Sequence, residues 1–72
     1  MKKRHRTVGM RIQEAREDAG MSRLELAKRT GVSYNLLTCY EGDKSDPTLE
    51  RMTKIANTLD ISLDWFAMGY EK

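Results

Sequence analysis

Seventy-two residues with 39% hydrophobic content and a net charge of +2 allow one small domain with a thin stability margin and a modest core. No apolar run approaches the roughly 18 residues of a membrane span, and the basic start MKKRHRTVGMR lacks the apolar region of a secretory signal. The single cysteine, Cys39, excludes an internal disulfide and fits a reducing, cytoplasmic setting.

Lys2, Lys3, Arg4 and Arg6 place four positive charges in the first six residues, while the other 66 carry nine Lys or Arg against eleven Asp or Glu. Residues 1–7 therefore read as a basic arm on a slightly acidic body. Such an arm suits phosphates or a minor groove. Val8, Ile12, Ala15 and Ala19 recur at spacings of four, three and four. They form one apolar stripe of a helix over 8–18, with Thr7 as its cap and Gly20 as its stop. Ser22 and Glu25 make the S-x-x-E pattern of a capping box. The helix they open buries Leu26 and Ala27 and stops near Thr30, where Gly31 tolerates a left-handed backbone. Ser33 caps a third helix, 34–41, that buries Leu37 and Tyr40.

Gly42-Asp43-Lys44-Ser45-Asp46-Pro47 is a loop by composition. Thr48 follows, and Leu49, Met52, Ile55, Ala56 and Leu59 form the apolar face of a fourth helix that ends at Asp60. Ser62 caps a short fifth helix with Asp64 near its positive end, Leu63, Trp65, Phe66 and Met68 on its apolar side, and Gly69 at its close. Met10, Met21, Met52 and Met68 suit core filling. No segment alternates as a strand does. The expectation is an all-α fold of five short helices, with residues 8–69 as the domain and 70–72 as a tail.

Helices two and three, joined by Thr30-Gly31-Val32-Ser33, make a helix-turn-helix, which lets the second helix enter a DNA major groove. With Leu37 and Tyr40 inward, Tyr34, Asn35, Thr38 and Cys39 share the opposite face. Asn35 is the strongest base reader, because its amide matches adenine N6 and N7. The open N–H groups at the start of helix two, with Ser22 and Arg23, suit phosphates. Ser33, Lys44 and Ser45 complete the expected backbone contacts. His5 stands alone, no metal-spaced cluster occurs, and no nucleophile and base pair up. No metal, cofactor or enzymatic activity is expected.

Arg16, Ala19-Gly20-Met21-Ser22, Leu26-Ala27, Gly31-Val32-Ser33, Tyr40-Glu41, Lys44, Pro47, Leu59 and Ile61-Ser62-Leu63-Asp64-Trp65-Phe66 together resemble the phage Cro/repressor-like (Xre-type) helix-turn-helix family. The resemblance implies a lambda-repressor-like domain that binds double-stranded DNA. It implies an ion pair between Arg16 and Glu41, and a dimer interface around Ile61, Leu63, Phe66 and Tyr70. Departures are Arg23, where the family favours Gln, Leu24 at a usually polar position, Gly42 one place earlier than the family's glycine, and Asp60 in place of Gly. The leading expectation is a sequence-specific transcriptional regulator, a repressor. It acts as a homodimer on a pseudo-palindromic operator, by occluding RNA polymerase or touching it. The alternative is a protein-interaction adaptor or antitoxin-like module that uses the apolar Leu24 and Leu36.

Overall fold

Every helix begins on a hydroxyl. In the computed structural model, described here for residues 7–69, Thr7, Ser22, Ser33, Thr48 and Ser62 each accept a hydrogen bond from the backbone N–H three residues on. Such a cap satisfies one of the donors orphaned at a helix start and contributes about 1 kcal/mol. The helices they open are α1 (Val8–Asp18), α2 (Arg23–Thr30), α3 (Tyr34–Glu41), α4 (Leu49–Leu59) and α5 (Leu63–Met68). None is long and apolar enough to cross a membrane. The capping box at Ser22 is half made. Its hydroxyl accepts from Glu25 N, but the Glu25 carboxylate pairs with Arg29 at 2.8 Å.

The helix ends show how the chain copes without the expected glycines. Asp43 (φ 60°) takes the left-handed position after α3, and Asp60 (φ 59°) takes it after α4. Gly42 stays at φ −91°. Lys44 N donates to Cys39 O at 2.8 Å and Asp43 N to Tyr40 O at 3.1 Å, the two bonds of a Schellman motif. Aspartate visits this backbone region more readily than most residues with a side chain.

All five helices contribute to one core. Ile12 and Ala15 come from α1, Leu26 from α2, Leu37 and Tyr40 from α3, Ile55, Ala56 and Leu59 from α4, and Trp65 and Phe66 from α5. Val32, 5% exposed, adds the turn between α2 and α3. Helix α1 packs on α3, α4 and α5, and α2 bridges α3 and α4. Four apolar residues expected inside lie outside. Ala19 is the exposed C-cap of α1, past its last turn. Leu49, in the first turn of α4, is 68% exposed, and Met68, at the last position of α5, is 61% exposed. Met10 is 48% exposed on the outer face of α1. Terminal turns overhang the core, so periodicity there does not guarantee burial.

Candidate functional site

The turn between α2 and α3 is built by its own residues. Gly31, at φ 78°, reverses the chain. Thr30 Oγ1 donates to Leu26 O at 2.8 Å and accepts from Val32 N at 3.1 Å. The hydroxyl thus stitches the end of α2 to the start of the turn, and Val32 anchors the turn in the core. Thr30 was not singled out from the sequence, though a threonine just before the stop glycine was the available signal.

With Leu37 fully buried and Tyr40 2% exposed, α3 presents its other side outward. Tyr34, Asn35 and Thr38 are exposed there together. Cys39, expected with them, is only half-buried, at the edge of the face beside the loop that follows. The Thr38 hydroxyl donates to Tyr34 O at 3.0 Å, so its one proton is already committed. Asn35 keeps an exposed amide, a paired donor and acceptor. Ser22 and Ser33, the N-caps of α2 and α3, have hydroxyls that accept cap bonds and retain a proton to give. Lys44 and Ser45 are exposed on the loop after α3.

A buried carboxylate fixes α3 to the rest of the molecule. The Glu41 side chain is 2% exposed. Arg16 of α1 grips it with two donors, Nε to Oε2 at 2.8 Å and Nη2 to Oε1 at 3.1 Å, and Arg16 Nη1 donates to Met21 O at 2.8 Å. The pair implied by the resemblance is therefore present and bidentate. The hydrogen bond to Glu41 raises the Arg16 pKa above its ordinary value, with burial opposing and the Glu41 charge assisting.

Arg23, expected among the phosphate contacts, turns its guanidinium back on Glu41 Oε1, from Nε at 3.3 Å and Nη2 at 3.1 Å. Its Nη1 lies 3.4 Å from Thr38 Oγ1, and its carbon sits 5.8 Å from the centre of the Tyr34 ring. A buried anion on the neighbouring helix attracts the cation more strongly than solvent does.

Two further ties escaped the sequence reading. Arg11 Nε donates to Phe66 O at 2.8 Å and Nη2 to Ala67 O at 3.2 Å, so a side chain of α1 caps the carbonyl end of α5. Burial pushes the Arg11 pKa down. Thr7 Oγ1 donates to Asp43 Oδ2 at 2.9 Å, which brings a carboxylate to the start of α1, a helix with no acid in its own first turn.

The expected dimer surface needs correction. Phe66 is 0% exposed within the single chain, held by the core cluster, and offers nothing to a second copy. Ile61 and Leu63 are half-buried against the core. Tyr70 and the arm residues Lys2, Lys3, Arg4 and Arg6 lie outside the described residues.

Two short helices locked across a glycine turn, the second with a polar outward face, define a helix-turn-helix protein. A helix-turn-helix family model matches residues 12–66, and the chain belongs to that family, of the Xre, Cro/C1 type. The transcriptional regulator ImmR of Bacillus subtilis is 34% identical over 59 residues, 82% of this chain and 46% of ImmR. The chain thus spans about half the length of that relative. Among solved structures, the P22 c2 repressor in complex with a synthetic operator superposes with a TM-score of 0.84 at 25% identity, covering 90% of this chain and 98% of the repressor chain in that structure. SinR, a master regulator for biofilm formation solved in complex with DNA, gives 0.80 at 30% identity, covering 83% of this chain and 97% of the SinR chain in that structure.

Proposed function

We propose that this chain is a sequence-specific DNA-binding transcriptional regulator that acts as a repressor, with α3 in the major groove. The observation that carries the reading is the outward face of α3. Tyr34, Asn35 and Thr38 are exposed side by side on a helix whose back is pinned by Leu37, Tyr40 and Glu41. A rigid rod with a polar outer face is what base reading requires. The operator-bound P22 c2 repressor and DNA-bound SinR share this fold, which supports DNA as the ligand.

Phosphate contacts fall to Ser22 and Ser33 beside helix starts, to Lys44 and Ser45 on the loop, and to Lys2, Lys3, Arg4 and Arg6 of the arm. One recognition helix covers too few base pairs for genome-scale discrimination, so two copies on a pseudo-palindromic site are physically useful. With Phe66 excluded, Ile61 and Leu63 at the start of α5 are the apolar residues left for that contact.

Selection of bound oligonucleotides from a random pool, followed by salt-titrated binding, tests the reading. It predicts an enriched, symmetric sequence bound with a Kd of about 10 nM or tighter at physiological salt, with affinity falling steeply as salt rises. Recovery of no sequence preference, with weak salt-independent retention, would overturn it.

A further inference from the structure

We infer that Arg23 is a positioning residue for the base-reading face of α3 and not one of its phosphate ligands, an inference that rests on the DNA-binding reading above. The contacts define a relay. Glu41, buried and already bound by Arg16, takes Arg23 on its Oε1 through Nε and Nη2. With that edge of the guanidinium held, the opposite end reaches Thr38 Oγ1 at 3.4 Å, and the cation stands at the Tyr34 ring, 5.8 Å from its centre. The Thr38 hydroxyl donates its own hydrogen bond to Tyr34 O. A single planar group therefore touches two outward residues of α3 and the buried anion behind them.

Three consequences follow from the chemistry of these groups. The Thr38 hydroxyl is oriented inward, as acceptor from Arg23 and donor to Tyr34, which leaves its methyl as the chemical feature for a groove. The Tyr34 ring is held by a cation on one side and is limited in where it can swing. The Nε–Nη2 edge, suited to gripping a phosphate, is spent on Glu41. The Arg23 side chain is 29% exposed against 2% for Glu41, so its head is directed into the protein at a position next to the helix start. Lysine supplies the same charge but has no planar fork to span both Glu41 and Thr38 and no flat face for the ring.

The test compares wild type, Arg23→Lys and Arg23→Gln by oligonucleotide selection and by salt-titrated binding, with thermal melting to verify folding. In the Lys variant, the ratio of preferred to disfavoured base at the positions read by Tyr34 and Thr38 is expected to fall by about fivefold or more, the low end of what one base contact is worth. Preference at the position read by Asn35 is retained. In the Gln variant, the slope of log affinity against log salt is expected to match wild type. A Lys variant with the wild-type preference profile, or a Gln variant whose slope drops by about one phosphate contact, would overturn the inference and return Arg23 to the backbone. A wild-type protein that enriches no sequence would overturn the DNA-binding reading itself, together with this inference.

Discussion

Thr7 and Asp43, 36 positions apart in the chain, are joined by a 2.9 Å hydrogen bond at the point where α1 starts and α3 ends. Asp43 bears a cost and a benefit at one position. Its backbone is left-handed, which disfavours a side chain by about 1–2 kcal/mol, a penalty smaller for Asp than for most residues. Its carboxylate supplies the negative group that the first turn of α1 lacks. Asp43→Ala keeps a strained backbone and loses the carboxylate, so thermal denaturation should show a loss of about 1–2 kcal/mol. Asp43→Gly loses the same contact but relieves the backbone, and should melt within about 1 kcal/mol of wild type.

Gly9 and Gly42 should respond oppositely to alanine. A Cβ on Gly9 would press on the Tyr40 carbonyl oxygen, far inside van der Waals contact, and lie 2.6 Å from Asp43 Oδ1. The neighbour is backbone and cannot swing aside, so Gly9→Ala should cost about 2–3 kcal/mol by forcing α1 off α3. A Cβ on Gly42 meets only Thr38 O at 3.3 Å, at φ −91°. Gly42→Ala should change stability by less than about 1 kcal/mol, since lost freedom in the unfolded chain offsets the tight contact. Denaturant titration of the two variants checks both values.

Glu41 holds two arginines, and its removal should be more damaging than the loss of either. Glu41→Ala leaves the Arg16 guanidinium, 10% exposed, facing no carboxylate at its Nε, and is expected to cost about 3–5 kcal/mol. Arg16 has a raised pKa in the folded state, so its contribution is complete below the ordinary arginine value and is lost only as pH rises beyond it. Stability measured from pH 6 to 9 should therefore show no titration of this arginine.

The outward face of α3 predicts a pattern that folding alone does not. Asn35 is exposed, so Asn35→Ala should leave melting unchanged while discrimination at one base position falls by about 1–3 kcal/mol. The Thr38 proton is spent on Tyr34 O and its methyl is left for the groove, so Thr38→Ser, which removes only the methyl, should lower the preference at the position Thr38 reads. Oligonucleotide selection with each variant measures both.

If the chain pairs as proposed, Phe66 and Leu63 separate folding from assembly. Phe66→Ala should destabilise the single chain by about 3–5 kcal/mol, as emptying a filled core site does. Leu63→Glu, on a half-buried position at the start of α5, should lower dimer content in sedimentation with a smaller effect on melting.

Local chemistry by itself made the helices legible. The hydroxyl caps at Thr7, Ser22, Ser33 and Ser62, the stop at Gly31 and the inward pair Leu37 and Tyr40 depend on interactions within three or four residues, which a linear pattern displays. The outward placement of Tyr34, Asn35 and Thr38 follows from the same periodicity, and the Arg16–Glu41 pair came from family resemblance. Packing decided the rest. The turning of Arg23 onto Glu41, the reach of Arg11 to the carbonyls of α5, the bond from Thr7 to Asp43 and the burial of Phe66 all join helices distant in sequence. Their geometry depends on how helices cross and how far each overhangs the core. That is set by the summed fit of many side chains and not by any local run of residues.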